Sequence, residues 1–96
     1  MYGLIGKMIA QPGQREALLA ILSGQVGPMP GCLSYVIAKD PADANALWIT
    51  EVWEDTASHQ ASLGLPQVKA AIHQARPLIE RFDNRVETEP VAGMGI

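Results

Sequence analysis

The sequence predicts an α+β fold in which an antiparallel four-stranded sheet carries helices on one face. Two patterns predict it: alternating apolar residues typical of strands, and apolar residues three and four positions apart, typical of amphipathic helices. Short connections rich in glycine, proline and aspartate separate these segments. The 96 residues are enough for one domain, so residues 1–96 are expected to form a single unit.

The first strand is predicted over Tyr2–Ala10, followed by a turn at Gln11-Pro12-Gly13. Gly3 and Gly6 interrupt this strand, which indicates a bulge or the close approach of another segment. The first helix follows the turn and is expected to end before Gly27. Its apolar face comprises Leu18, Ile21, Leu22 and the pair Gln25 and Val26.

The second and third strands are predicted over Cys32–Lys39 and Ala46–Trp53. The polar loop between them is short, which predicts an antiparallel hairpin. Because side chains alternate across a strand, we expect Leu33 and Tyr35 on one face of the second strand and Cys32 on the other.

A helix capped by Asp55 or Thr56, and then a helix over residues 67–76, are expected after the third strand. A fourth strand is predicted over residues 84–89. The apolar, glycine-containing residues 90–96 are expected to form either a tail or an arm on a neighbouring copy.

The resulting order, β-α-β-β-α-β, is that of the split βαβ or ferredoxin-like arrangement. One face of such a sheet has no helices, and apolar side chains alternate on both faces of the second and third strands. A domain of this size is also marginally stable alone. We therefore expect a homodimer in which two sheets pack face to face as an α+β barrel.

Composition excludes several classes of partner. The net charge is −3 and the seven Lys and Arg residues are scattered singly, so no nucleic acid is expected. No apolar stretch is long enough for a membrane span, and no signal-peptide pattern follows Met1, so we expect a cytoplasmic protein. A single cysteine, Cys32, allows neither an intrachain disulfide nor, by itself, a zinc site.

Three segments carry a family resemblance: Gln11-Pro12-Gly13 after the first strand, the run PGCLSY from Pro30 to Tyr35, and the run EVWED from Glu51 to Asp55. In this order and spacing they resemble the antibiotic biosynthesis monooxygenase family over residues 2–85. The resemblance implies a dimeric ferredoxin-like barrel. It also implies an oxygenase that oxidises quinols or anthrones with molecular oxygen, without flavin, metal or haem.

The sequence departs from the family pattern at several positions. Ser62 and Gln67 stand where members often have histidines, and Ile49 stands where the anthrone-oxidising branch has asparagine. The haem-degrading branch needs an asparagine and a histidine where this chain has Gly6 and Ile72, so haem degradation is not expected. The missing histidines favour an alternative, a non-catalytic dimer that binds small aromatic ligands or is associated with stress.

Three residues are candidates for catalysis. By resemblance, Trp53 lines the cavity, where an indole offers a flat apolar wall and one N–H donor. Glu51 lies on the same strand face and could take a proton from a phenol, or instead pair with Arg81 or Arg85. His59, on the next helix, is the favoured proton acceptor because imidazole titrates near neutral pH, unless it simply faces solvent.

The predicted function is a cofactor-independent monooxygenase acting on a small aromatic phenol, quinol or anthrone with molecular oxygen. No cofactor and no metal are expected, since His59 and His73 are not spaced as a metal pair on one helix. His73 is expected to be exposed. The residues predicted to bind the substrate are Ile49, Leu63, Ile72 and Tyr35.

Overall fold

The computed structural model describes residues 1–25 and 27–96 and confirms the α+β, ferredoxin-like arrangement. The four strands form one antiparallel sheet in the order β2-β3-β1-β4. The elements are β1 (Tyr2–Ala10), α1 (Arg15–Ser23), β2 (Cys32–Lys39), β3 (Ala46–Trp53), α2 (Thr56–Ser62), α3 (Pro66–Ala75), a 3₁₀ turn (Arg76–Leu78) and β4 (Ile79–Thr88).

The predicted β2–β3 hairpin is antiparallel, but its register contains an irregularity between Cys32 and Ser34. Tyr35 faces Glu51 across the pair, while Cys32 faces Trp53. Because Glu51 and Trp53 share one face of β3, Cys32 lies on the same face as Tyr35. The prediction that these two side chains lie on opposite faces is therefore wrong, because a bulge reverses the alternation.

Helix α1 is shorter than predicted. It ends at Ser23, where the backbone N–H of Gly24 donates to the carbonyl oxygen of Ala20 at 3.2 Å. Glycine is a poor helix former, so the apolar spacing beyond it does not extend the helix. Val26, which was assigned to the apolar face, lies outside the described residues.

Strand β4 is longer than predicted, since it begins at Ile79 and not at residue 84. It pairs with β1 at the edge of the sheet with register shifts between Lys7 and Met8 and between Ile9 and Ala10. Nearly every residue of β4 is exposed. An exposed edge strand has no buried face to impose an alternating pattern, and the bulges break what alternation remains.

The core consists of two groups of buried side chains on the helix-bearing side of the sheet. The larger contains Leu18, Leu47 and Ile49, and the smaller contains Tyr2, Leu4 and Trp53. Leu18, Leu47 and Trp53 are the largest side chains that are fully enclosed. They hold α1 and the β3–β1 pair together below the cavity described in the next section.

Gly3 confirms the expected close approach at β1, because a Cβ there would collide with the side chains of Thr88 and Pro90. Within residues 1–25 and 27–96, no helix is both long and apolar enough to cross a bilayer.

Leu18→Ala tests the packing of α1 on the sheet. Leu18 has no exposed surface, so the substitution leaves a cavity and should lower the free energy of unfolding by about 2–5 kcal/mol in denaturant titrations. Val91→Ala is the control, because Val91 is 88% exposed and its loss should change stability by less than about 0.5 kcal/mol. Equal effects of the two substitutions would contradict the packing described.

Candidate active site

A cavity of about 550 Å³ lies between the sheet and the helices of the single chain. Its volume falls inside the range of roughly 300–1,000 Å³ typical of small-molecule sites. The structure brings together on its lining every residue predicted for catalysis or substrate binding: Tyr35, Ile49, Glu51, Trp53, His59, Leu63 and Ile72. Their shared location is a structural fact, whereas their individual roles stay predictions.

Glu51 is the charged residue deepest in this apolar surrounding. Its side chain is 13% exposed, and its Oε1 accepts a hydrogen bond of 3.0 Å from Trp53 Nε1. Burial raises the pKa of the Glu51 carboxyl above its ordinary value, and the Trp53 hydrogen bond and nearby His59 offset part of that rise. The other oxygen, Oε2, accepts no hydrogen bond within residues 1–25 and 27–96, so it is free to meet a ligand.

His59 is buried, which rules out the alternative of a solvent-facing helix histidine. Only 6% of the residue is exposed, and its ring lies 5.4 Å from the Tyr2 ring and 5.5 Å from the Trp53 ring, centroid to centroid. The Trp53 contact is edge-on, a favourable aromatic geometry. His59 Nε2 is 3.9 Å from Glu51 Oε1, a separation that a ligand hydroxyl could bridge.

The surroundings of His59 indicate which ring nitrogen carries the proton. Nδ1 is buried without a hydrogen-bond partner among the residues that the structure describes. A buried N–H without an acceptor costs about 1–3 kcal/mol. A neutral His59 therefore keeps its proton on Nε2, which faces Glu51.

Helix α2 is fixed at its start, and this positions His59. The Asp55 side chain caps the helix by accepting from Ser58 N at 2.7 Å, as predicted. Gly31, at φ 81°, lies so close to Ser58 that a Cβ would collide with the serine side chain. Close contact between the turn before β2 and the first turn of α2 thus sets where the imidazole enters the cavity.

Among the described residues of the single chain, no arginine lies within ion-pair distance of Glu51. The alternative prediction, a pair with Arg81 or Arg85 across the sheet or a dimer interface, therefore stays a prediction for the interface. Arg81 Nη1 lies 2.8 Å from Glu80 Oε2, and Arg85 Nη1 lies 3.3 Å from Glu87 Oε1. Both arginines are on the exposed strand β4, whose own carboxylates are nearer than β3. The partners of Glu51 are instead an indole and an imidazole.

Tyr35 faces Glu51 on the neighbouring strand and lines the same cavity. Burial raises the pKa of the Tyr35 hydroxyl, and the nearby Glu51 and Cys32 raise it further. The phenol therefore stays protonated at neutral pH and can only donate or accept a hydrogen bond as a neutral group.

Several cavity residues were not predicted from the sequence. Met8 from β1, Leu22 from α1 and Phe82 from β4 add apolar surface, and Phe82 is 65% exposed at the open side. Phe82 was missed because β4 was predicted to begin after it. Met8 was assigned only to the first strand and Leu22 only to the apolar face of the first helix, and nothing in their spacing distinguishes a core position from a cavity wall.

Ser62 and Gln67, which stand where family members often have histidines, bring no charged or imidazole group to the cavity. Ser62 is buried and its Oγ donates to the carbonyl oxygen of His59 at 2.6 Å. Gln67 and His73 are exposed and lie outside the cavity lining, so the expectation for His73 is confirmed. In the described part of the chain, no three His, Cys, Asp or Glu side chains converge closely enough to hold a metal ion.

The sequence profile described as antibiotic biosynthesis monooxygenase matches residues 1–74. The chain belongs to this family. A candidate antibiotic biosynthesis monooxygenase from Chloroflexus aurantiacus J-10-fl shares 61% identity over 99% of this chain and 97% of its own, with a TM-score of 0.95.

More distant structures share the fold of this family member. A protein from Pseudomonas aeruginosa is 24% identical over 95% of this chain and 94% of its own, with a TM-score of 0.84. A candidate antibiotic biosynthesis monooxygenase from Nitrosomonas europaea is 14% identical over 96% of this chain and 100% of its own, with a TM-score of 0.86. No curated protein matches the sequence significantly.

Glu51→Gln tests the buried carboxylate through stability. Because the folded-state pKa is raised, the folded protein holds the proton more tightly than the unfolded chain does. Stability is therefore lost as pH rises from the ordinary glutamate value of 4.5 through the raised value. Glutamine keeps an oxygen for Trp53 but carries no charge. The Tm of E51Q relative to the native protein should therefore rise between about pH 4 and about pH 8.

Glu54→Gln is the matched control for this measurement, since Glu54 is exposed. Its Tm should follow that of the native protein across the same pH range. A Tm difference between E51Q and the native protein that does not change with pH would contradict the raised pKa.

Proposed function

We propose that this protein is a cofactor-independent monooxygenase for a small aromatic phenol, quinol or anthrone. The observation that carries the proposal is the buried Glu51 carboxylate, which has one free oxygen in an apolar cavity of ligand size. Family membership supports oxygenase chemistry, and the cavity supports a small aromatic molecule as its ligand. A cytoplasmic location, expected from the sequence, is part of the proposal.

The aromatic ring of the substrate lies against the apolar walls formed by Ile49, Trp53 and Ile72. Its hydroxyl then meets Glu51 Oε2 and transfers its proton to that oxygen. The raised pKa of Glu51 makes the carboxylate a stronger base than an exposed glutamate, which favours the transfer. Glu51, and not His59, is the acceptor in this proposal, because its Oε2 accepts no hydrogen bond in the described part of the chain, whereas His59 Nε2 is directed at Glu51 Oε1.

His59 and Tyr35 can stabilise, by hydrogen bonding, the negative charge that moves from Glu51 to the substrate. His59 Nε2–H faces the carboxylate before the transfer and can donate to the substrate oxyanion after it. The neutral Tyr35 hydroxyl is a second donor on the same cavity wall. Fixed donors aimed at developing negative charge stabilise it most where water is excluded.

The deprotonated ring is electron-rich and reacts directly with molecular oxygen. For an anthrone-type substrate, a ring CH₂ group becomes a carbonyl: one oxygen atom enters the product and the other leaves as water with the two hydrogen atoms. The four electrons needed come from the C–H bonds of the substrate, so the balance requires no flavin, metal or haem.

The non-catalytic alternative, a dimer that binds aromatic ligands without oxidising them, has one observation in its favour. Ser62, at the position of a family histidine, is hydrogen-bonded within its own helix and offers no catalytic group to the cavity. Ligand binding without oxygen uptake would distinguish this alternative from the oxygenase.

We also propose that the protein is a homodimer in which the helix-free faces of two sheets pack together. On a single chain this face exposes apolar residues of both edge strands, with Val36 54% and Val86 51% exposed. Exposed apolar area of this kind is typical of a protein interface.

Oxygen uptake by metal-stripped protein, with a panel of naphthoquinols and anthrones and with autoxidation subtracted, tests the reaction. Glu51→Gln should lower the rate about 10²- to 10⁴-fold, the usual contribution of a positioned base. With ¹⁸O₂, the anthrone product should gain one labelled atom. An E51Q rate equal to the native rate would contradict the role of Glu51, and Glu54→Gln is the matched charge control.

His59→Phe separates the imidazole from the carboxylate in the same assay. Phenylalanine keeps a ring between Tyr2 and Trp53 but removes both nitrogens. Because nearby His59 lowers the pKa of Glu51, its loss should move the acidic limb of the pH–rate profile to higher pH. If the rate fell at every pH and the acidic limb did not move, His59 would have no effect on the pKa of Glu51, which would contradict the proposed interaction of the two side chains.

Sedimentation velocity tests the dimer. The expected mass at micromolar concentration is twice that of the 10.3 kDa chain. Val36→Lys places a charge on the proposed interface and should shift the equilibrium toward the monomer, whereas the exposed control Val91→Lys should not. A native mass of one chain would contradict the proposal.

A further inference from the structure

The charged residues of the cavity lining are not all paired with one another. Two of its carboxylates are Glu51, which is buried, and Glu80, which is paired with Arg81 at 2.8 Å. A second arginine of the lining, Arg76, has no ion-pair or hydrogen-bond partner for its guanidinium within residues 1–25 and 27–96. Arg76 is thus the cation of this lining whose charge no neighbouring carboxylate balances.

Arg76 is an exposed residue of the cavity lining. It follows helix α3 directly and comes four residues after Ile72, so one helical turn separates these two lining residues. Arg76 is exposed, whereas the Glu51 side chain is 13% exposed. A ligand in the cavity can therefore meet a buried acceptor at Glu51 and an exposed positive charge at Arg76.

The fold gives the Arg76 side chain no other evident task. Its backbone carbonyl closes the 3₁₀ turn by accepting from Ile79 N, and any residue can supply that carbonyl. By contrast, Arg15 of α1 donates to three backbone carbonyls, two in the β2–β3 connection and one at the first residue of β3. An arginine whose side chain makes no hydrogen bond or ion pair among the described residues, but which lines a ligand-sized cavity, is suited to contact the ligand.

We infer that the substrate is a hydroxylated aromatic carboxylate whose carboxylate is held by Arg76 while its hydroxyl reaches Glu51. The planar guanidinium can bind a carboxylate through two parallel hydrogen bonds, and the geometry of the pair fixes the orientation of the ring. This inference deepens the proposed function and rests on it, because it takes the Glu51 end of the cavity as the reacting end.

Charge placement at the two ends also excludes the reverse orientation. A carboxylate placed next to Glu51 would put two like charges together in an apolar site, which is strongly unfavourable. The ligand is therefore held with its neutral hydroxyl inward and its anion outward, so the proton acceptor meets the group that it is to deprotonate.

Binding, measured without oxygen, tests this inference separately from catalysis. The probes are a hydroxynaphthoic acid with hydroxyl and carboxylate at opposite ends of the ring, its carboxamide, and the parent naphthol. Titration calorimetry at low salt should show the acid binding the native protein about three- to tenfold more tightly than the carboxamide. The preference should shrink as salt is added.

Three variants locate the source of the preference. Arg76→Gln should bind the acid and the carboxamide equally. Arg76→Lys keeps the positive charge but cannot form two parallel hydrogen bonds, so it should retain part of the preference for the acid. Lys69→Gln removes one positive charge from an exposed site on the preceding helix α3, outside the lining, and should behave like the native protein.

The outcomes separate this inference from the proposed function. Equal affinity of the native protein for acid and carboxamide, or a preference that survives in R76Q, would overturn the role of Arg76 and leave the oxygenase proposal standing. A preference that depends on Arg76, together with no oxygen uptake by any substrate, would support the anion site and contradict the oxygenase. Binding of none of the three probes would overturn the inference and remove the ligand site that both proposals need.

Discussion

Burial of the Glu51 carboxylate in an apolar cavity is the constraint on which the candidate site depends. Taking a charge out of water is unfavourable, and the Trp53 indole N–H, the nearby His59 imidazole and the charge of Arg85 offset part of that cost. No arginine lies within ion-pair distance in the described ranges, so the carboxylate keeps a raised pKa and a free oxygen.

The sheet and the start of α2 together produce this arrangement. Glu51 and Trp53 are two residues apart on β3, so they share the helix-bearing face and their side chains can meet. The bulge near Cys32 keeps Tyr35 opposite Glu51. Close contact of Gly31 with Ser58 and the Asp55 cap then bring the His59 ring over Trp53. Backbone features, more than side-chain packing, thus place the polar groups.

Segments that bury side chains carry a periodic pattern of apolar residues, and these are the segments that the sequence predicted well. Strands β1 and β3 have buried residues and β2 is partly buried, and the bounds of all three were predicted correctly. Strand β4 is exposed, and its start was predicted late. All seven proposed site residues line the cavity, since six of them lie on the cavity face of β2, β3, α2 and α3, and the seventh, Leu63, directly follows α2. Arg76 could not be predicted, because an unpaired charge is recognised only once its neighbours are known.

The most direct test of this account is the pKa of the Glu51 carboxyl itself, measured by carbon NMR of the glutamate side chains. The spectrum of Glu51→Gln identifies the resonance, and the exposed Glu54 provides an internal comparison. The account predicts a titration midpoint above 4.5 in the free protein, with no second carboxylate coupled to it. A midpoint at or below 4.5 would show that the carboxylate is not held in an apolar site and would contradict its role as the base.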